Sequence, residues 1–281
     1  MITFAEQSAN LAFKSLIMKN ILVPVGSSKN AQSLLQYAVD FAHAFNANLY
    51  VVQVYNVYTK AGTMIKIDHI LERESKAFLE AMIAKVDTKG VNVMTRVLKG
   101  KLVDTLDLVC RKGEIDLIIV EPRTTSESEE VFLGQTTGKI VKQTHIPTLI
   151  VPERYTFKPI KKILLAVKSA ILKKEEAIKP LGEIKTNFNA IVDLLIVKTP
   201  YYKEGDLDVN ETLKSMVASV DTTESETTFK GALHYLESRD PDMLCVVRRK
   251  RGFFMKIWEK NTILKKDFYS NRPVLVLRGL K

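Results

Sequence analysis

Lys19-Asn20-Ile21-Leu22-Val23-Pro24-Val25 returns 142 residues later as Lys161-Lys162-Ile163-Leu164-Leu165-Ala166-Val167, a short apolar run behind a polar lead in both places. Other pairs follow in the same order. Asp116-Leu117-Ile118-Ile119-Val120 is answered by Asp242-Met243-Leu244-Cys245-Val246-Val247, and Ile146-Pro147 with its strand to Val151 is answered by Arg272-Pro273 with Val274 to Leu277. The last two pairs share an offset of 126, so the second copy has lost length, mostly around its second helix and third strand.

Within the first copy, apolar strands at Ile21–Val25, Leu49–Tyr55, Val91–Val97, Leu117–Val120 and Thr148–Val151 alternate with helical patterns. The first helix shows Leu34, Leu35, Ala38, Val39 and Ala42; the second falls within Ile67 to Val86; the third carries Leu102, Leu106 and Cys110; the last runs from Gly138 to Thr144. Fully apolar strands such as Leu117–Val120 are those buried on both faces of a parallel sheet. The expected fold is therefore α/β, with two tandem doubly wound domains, each a five-stranded parallel sheet with helices on both faces. The boundaries expected are an N-terminal extension at 1–18, a first domain at 19–152, a linker at 153–160 and a second domain at 161–281.

Composition agrees with a globular chain of 281 residues, 46% hydrophobic and 26% charged. No apolar run approaches the roughly 20 residues that a membrane span needs, and the residues before Ile21 lack the continuous apolar core of a signal peptide. The expectation is a cytoplasmic protein without a membrane span. Cys110 and Cys245 fall in apolar patterns without Cys-x-x-Cys spacing and read as buried, reduced thiols. His43, His69, His145 and His234 are scattered, so no metal site is expected.

The net charge of +10 is uneven. Residues 1–156 hold 18 basic and 16 acidic side chains, whereas residues 157–281 hold 24 and 16. Eight Lys/Arg between Arg248 and Lys266 face the single acid Glu259, so attraction to a polyanion would concentrate there, through Arg248, Arg249, Lys250 and Arg251. Phe253, Phe254 and Trp258 would add stacking contact. The plainer reading of the same run is a solvated loop whose aromatics pack on a neighbouring helix.

In an open α/β sheet, ligands sit outside the carboxyl ends of the strands at the point where strand order reverses. Gly26, Glu121 and Gly134 follow or lie near such ends, and Gly134-Gln135-Thr136-Thr137-Gly138-Lys139 looks like a loop that brings backbone N–H groups and a helix start to an anion. It is not a P-loop, because three residues rather than four separate Gly134 from Gly138 and Lys139 precedes Ile140. No Gly-x-Ser-x-Gly or Gly-x-Gly-x-x-Gly occurs, and Ser27 and Ser28 read as turn and helix-cap residues.

From about Lys19 to Leu277 these residues resemble the universal stress proteins in their two-domain form, on the strength of the duplicated strand–helix order and the Pro-plus-apolar strand that ends each copy. Family resemblance implies an Asp at the end of the first strand, then Gly-x-x-Gly after the fourth, nine further residues and a Gly-Ser or Gly-Thr-like loop for the nucleotide. Gly134-Gln135-Thr136-Thr137 matches that last loop. Glu121 and Thr124 stand where the two glycines would be, and Gly26 stands in place of the Asp. A carboxylate beside a pyrophosphate adds repulsion, and a Cβ at Thr124 obstructs the close approach that glycine permits.

The candidate crevice thus comprises Val25, Gly26, Ser27, Val54, Glu121, Arg123, Gly134, Gln135, Thr136 and Thr137, with its ligand open. The second copy departs further: Lys168-Ser169 follow Val167, and Glu259-Lys260-Asn261-Thr262 holds no glycine. The reading is a non-enzymatic stress-response or regulatory protein with degenerate nucleotide motifs, acting through an unidentified protein partner or a small ligand. It expects no resident cofactor and no catalytic residue. Two alternatives stand beside it: an ATP-binding switch with its site in the first half only, hydrolysing slowly at most, and a polyanion-binding protein. Resemblance further implies that the halves pack as an internal pseudo-dimer through Thr148–Val151 and Val274–Leu277.

Overall fold

The computed structural model describes residues 18–56, 64–122, 131–171, 175–248, 263–264 and 268–278. The first half contains β1 (Asn20–Pro24), α1 (Ala31–Phe45), β2 (Asn48–Tyr55), α2 (Met64–Ile83), β3 (Val93–Lys99), α3 (Leu102–Lys112), β4 (Leu117–Val120), β5 (Val131–Leu133), α4 (Gln135–Gln143) and β6 (Thr148–Ile150). The second contains β7 (Lys162–Val167), α5 (Lys179–Phe188), β8 (Ile191–Lys198), α6 (Glu211–Met216), β9 (Ser219–Glu224), α7 (Thr228–Arg239), β10 (Met243–Arg248), β11 (Ile263–Leu264) and β12 (Val274–Arg278). The shortening of the second copy is plain in its second helix, where six residues of α6 stand against twenty of α2.

Ten strands form one sheet in the order β3-β2-β1-β4-β6-β12-β10-β7-β8-β9. Neighbours are parallel except β6 and β12, which meet antiparallel with Ile150 opposite Val274 and Thr148 opposite Val276. The two last strands, each an exposed apolar edge if alone, thus cover one another in the middle of the sheet. Alternate residues feed opposite faces: Ile21, Val23, Leu117 and Ile119 enter a core shared with α1, α2, α5 and α6, while Leu22, Ile118 and Val120 enter one shared with α3, α4 and α7. Both cores run across the seam between the halves.

The duplication extends to local devices. Asp116 Oδ2 accepts the backbone N–H groups of Lys19 and Asn20 at 2.7 and 3.0 Å, and Asp242 Oδ2 accepts those of Lys161 and Lys162 at 2.9 and 3.0 Å. Each carboxylate thereby satisfies the leading donors of the first strand in its own half. Phe45-Asn46-Ala47 and Phe188-Asn189-Ala190 repeat as helix stops: Asn46 and Asn189 take left-handed φ values of 51° and 50°, and the N–H of the alanine that follows closes on Ala42 O or Lys185 O at 2.9 Å. Asn tolerates that conformation better than most residues.

Several expected boundaries shift. The third strand runs Val93–Lys99 rather than Val91–Val97. The helix expected to start at Gly138 begins at Gln135, because Gly134 follows β5 in an extended conformation and acts as the N-cap, so Gly138 N–H already bonds Gly134 O at 2.9 Å inside the helix. Ser28 shapes the turn, with Oγ accepting Asn30 N–H at 3.0 Å, whereas Asn30 is the N-cap of α1.

The segment between the halves packs rather than spans. Tyr155 and Phe157 set ring edges against Tyr37 at centroid distances of 6.1 and 5.6 Å, and Phe188 of α5 meets Phe45 at 5.5 Å. Asn187 Nδ2 donates to Ala44 O at 3.0 Å across the same contact. Nearby, burial pushes the Glu183 carboxyl up to about 7, with Lys179 opposing, Asp116 of the first half adding to the rise and a backbone hydrogen bond at Met18 countering it. Its side chain is only 12% exposed, and Lys179 Nζ lies 3.7 Å away.

Because the folded carboxyl holds its proton above the unfolded value of about 4.3, Glu183 stabilises the fold below that value and the contribution is lost as pH rises through about 7. Glu183→Gln removes the penalty. With solvent screening allowed for, the gain is about 1–2 kcal/mol at pH 8, or a Tm rise of about 2–8 °C, and it vanishes near pH 4. Thermal melts of the two proteins at both pH values check this; an equal difference at both would overturn the assignment.

Candidate functional site

In the first half the order β3-β2-β1-β4-β6 reverses between β1 and β4, so the carboxyl ends of those strands face a crevice. A cavity of about 330 Å³ lies there. Pro24 lines it from the end of β1 and Val25, Gly26 and Ser27 from the turn that follows; Gln53 and Val54 come from β2, Leu102 from the start of α3, Val120 and Glu121 from the end of β4, and Thr136, Thr137 and Ile140 from α4.

The walls are set by ordinary strand and helix bonds. Val25 N–H bonds Val52 O and Val151 N–H bonds Val120 O, both at 2.8 Å, which fixes both strand ends beside the cavity. Thr137, 2% exposed, donates its hydroxyl to the Glu121 carbonyl at 2.7 Å and so ties the first turn of α4 to the end of β4. That turn presents backbone N–H groups with no intrahelical acceptor, the usual anion-facing end of a helix.

Electrostatics oppose that reading. Glu121 is 8% exposed and, among the described residues, is the only ionisable one in the lining, which there contains neither Lys nor Arg. Gln53 carries a buried Oε1 without a hydrogen-bond partner among the described residues. Among the described residues the wall therefore sets an acceptor and a carboxylate beside the N–H donors of α4, with no cation where a triphosphate site would hold one.

Of the residues expected at the crevice, Val25, Gly26, Ser27, Val54, Glu121, Thr136 and Thr137 line the cavity together. Gly134 and Gln135 stand next to it, as N-cap and first residue of α4, outside the lining. Arg123, with Thr124, lies outside the described residues. Sequence reasoning missed Pro24, Gln53, Leu102, Val120 and Ile140. The alternation of β2 already put Gln53 beside Val54 at the carboxyl end of its strand, whereas Leu102 and Ile140 read as core positions of helices.

The expected polyanion residues fare differently. Arg249, Lys250 and Arg251 lie outside the described residues, as do Phe253, Phe254 and Trp258. Arg248 is withdrawn from that surface: its guanidinium donates to the carbonyls of Val141 and Lys142, and to that of Thr144 at 3.2 Å. These are the last carbonyls of α4, so a helix terminus takes the place expected for a polyanion. Among the described residues no group of three His, Cys, Asp or Glu is placed to hold a metal ion, and no helix is long and apolar enough to cross a membrane. Both cysteines are buried and free.

Comparison with known proteins agrees with this geometry. The model of the universal stress protein family matches residues 18–152. A universal stress protein of Methanocaldococcus jannaschii is 24% identical over 140 residues, which is 48% of this chain and 82% of that protein. The crystal structure of a universal stress protein from Archaeoglobus fulgidus superposes with a TM-score of 0.67 at 16% identity, covering 93% of this chain and 97% of its own. A universal stress protein structure from Pseudomonas aeruginosa gives 0.57 at 13% identity, covering 95% of each. At these identities the two structures share the fold across both halves.

Proposed function

We propose, from the match of residues 18–152 to the universal stress protein family, that the chain is a stress-response regulator of that type whose first half receives a small ligand without chemistry. The observation that carries this is the cavity at the β1–β4 switch point with Glu121 as its sole ionisable wall residue among those described. Its volume lies at the low end of the range for ligand pockets, about 300–1,000 Å³. The ligand that fits is small, neutral or cationic, and brings a hydrogen-bond donor for Gln53 Oε1. In this reading the site's work is binding, and the output passes to a protein partner.

Mass spectrometry of the chain purified under native conditions, alongside calorimetric titration with ATP, tests the reading. A retained small molecule lacking a triphosphate, and ATP binding weaker than about millimolar, are the expected results. Micromolar ATP binding would replace this reading with the nucleotide switch.

A further inference from the structure

Arg248 stands at the carboxyl end of β10, the second half's own switch point between β7 and β10, and it lies in register with Arg278 of β12. Two guanidinium groups side by side call for an anion. Among the described residues, no carboxylate pairs with Arg248; the three carbonyls at the end of α4 are its partners. Those carbonyls lack intrahelical donors and carry the negative end of the helix dipole, so the match satisfies both elements. Burial first, and then Arg278, lower the Arg248 guanidinium to about 10, which leaves it charged at neutral pH.

The other end of the same helix is also gripped from the second half. β5, directly before the N-cap Gly134, pairs antiparallel with β11, Ile263 opposite Leu133 and Leu264 opposite Val131. Phe132 meets Phe268 edge-on at 5.1 Å, and Phe268 in turn meets Phe229 at 4.2 Å. Helix α4, which supplies Thr136, Thr137 and Ile140 to the cavity, is therefore held at both termini by residues more than 100 positions away.

We propose that Arg248 is a positioning residue through which the second half sets helix α4, and with it the wall of the first half's crevice, so that the crevice is a property of the paired chain and not of one half. Ligand occupancy and the Arg248 contact then support each other, since a coupling between two sites acts in both directions. This rests on the crevice reading above for its ligand arm alone.

The test compares the full chain with Arg248→Gln and Arg248→Lys by amide hydrogen exchange across 134–144, with α1 as the internal reference, and by native mass spectrometry of any retained small molecule. Hydrogen bonds to a charged group are worth about 1.5–3 kcal/mol, so Arg248→Gln should speed exchange in α4 about ten- to a hundredfold while α1 is unchanged. Arg248→Lys, whose ammonium can serve one carbonyl at a time, should fall between, and it carries the comparison if the Gln variant does not fold. Retained ligand should decline in the same order. Exchange unchanged in α4, or quickened equally in α1 and α4 as ordinary loss of stability would do, overturns the proposal. If the wild type retains nothing, the crevice reading loses its support, and the exchange result still decides the role of Arg248.

Discussion

Phe41→Ala is expected to destabilise the whole chain by about 3–5 kcal/mol, the usual cost of truncating a buried phenylalanine. Phe41 is fully buried in α1 and stands between four other rings: Tyr37 and Phe45 stack on it at 6.3 and 4.9 Å, and Phe157 and Phe188 present edges, both at 6.2 Å. Two of these come from its own helix, one from the connecting segment and one from α5 of the second half. Removing the ring leaves a cavity that this arrangement is slow to fill, because neighbouring rings cannot collapse without losing their own edge contacts.

At about 2–4 °C per kcal/mol for a chain of this size, Tm should fall by roughly 6–20 °C. The form of the melt is as informative as its midpoint. The sheet continues through β6 and β12 and both cores cross the seam, so one cooperative transition is expected in wild type and variant alike. Calorimetry that resolved two transitions, with only one moved by Phe41→Ala, would show that the halves unfold separately.

That seam also marks how far the sequence could be read. Strand alternation and the repeat from Lys19 to Lys161 were enough for two doubly wound units, because period-two burial and short apolar strands are written locally. The pairing of Thr148–Ile150 with Val274–Val276 came from the resemblance, and its physical reason is that two buried edges need cover.

What was not legible depends on contacts between distant residues of ordinary appearance. Val131–Leu133 reads as the approach to a loop until β11 is seen beside it, and Arg248 reads as the first of a basic run until its guanidinium meets the end of α4. A side chain's sign is visible in sequence, but the group that answers it is not. The same holds for Tyr155 and Phe157, which sit in a stretch that composition marks only as a connection. The candidate site was legible where it consists of strand ends, at Val25 to Ser27 and at Glu121. It was not legible where helices contribute inward faces, at Leu102 and Ile140.

Glu121→Gly should raise ATP affinity about ten- to a hundredfold. Two unit charges about 4 Å apart interact by about 4 kcal/mol at an effective dielectric of 20, and part of that repulsion persists in screened form for a phosphate at the first turn of α4. Removing the carboxylate lifts it, and removing Cβ lets a phosphate approach the backbone where Thr137 already fixes the Glu121 carbonyl at 2.7 Å. Glycine costs about 0.5–1 kcal/mol in backbone freedom, less than the gain. Glu121→Gln separates the two causes, since it removes the charge and keeps the bulk; it should give the smaller part of the increase, about tenfold. Gly134→Glu added to Glu121→Gly should cancel the gain by returning a carboxylate to the start of the same helix. Calorimetric titrations of the three variants beside the wild type decide it: if Glu121→Gly binds ATP no better than wild type, the charge at Glu121 is not what keeps a nucleotide out, and the shape of the crevice, already small at about 330 Å³, excludes it by itself.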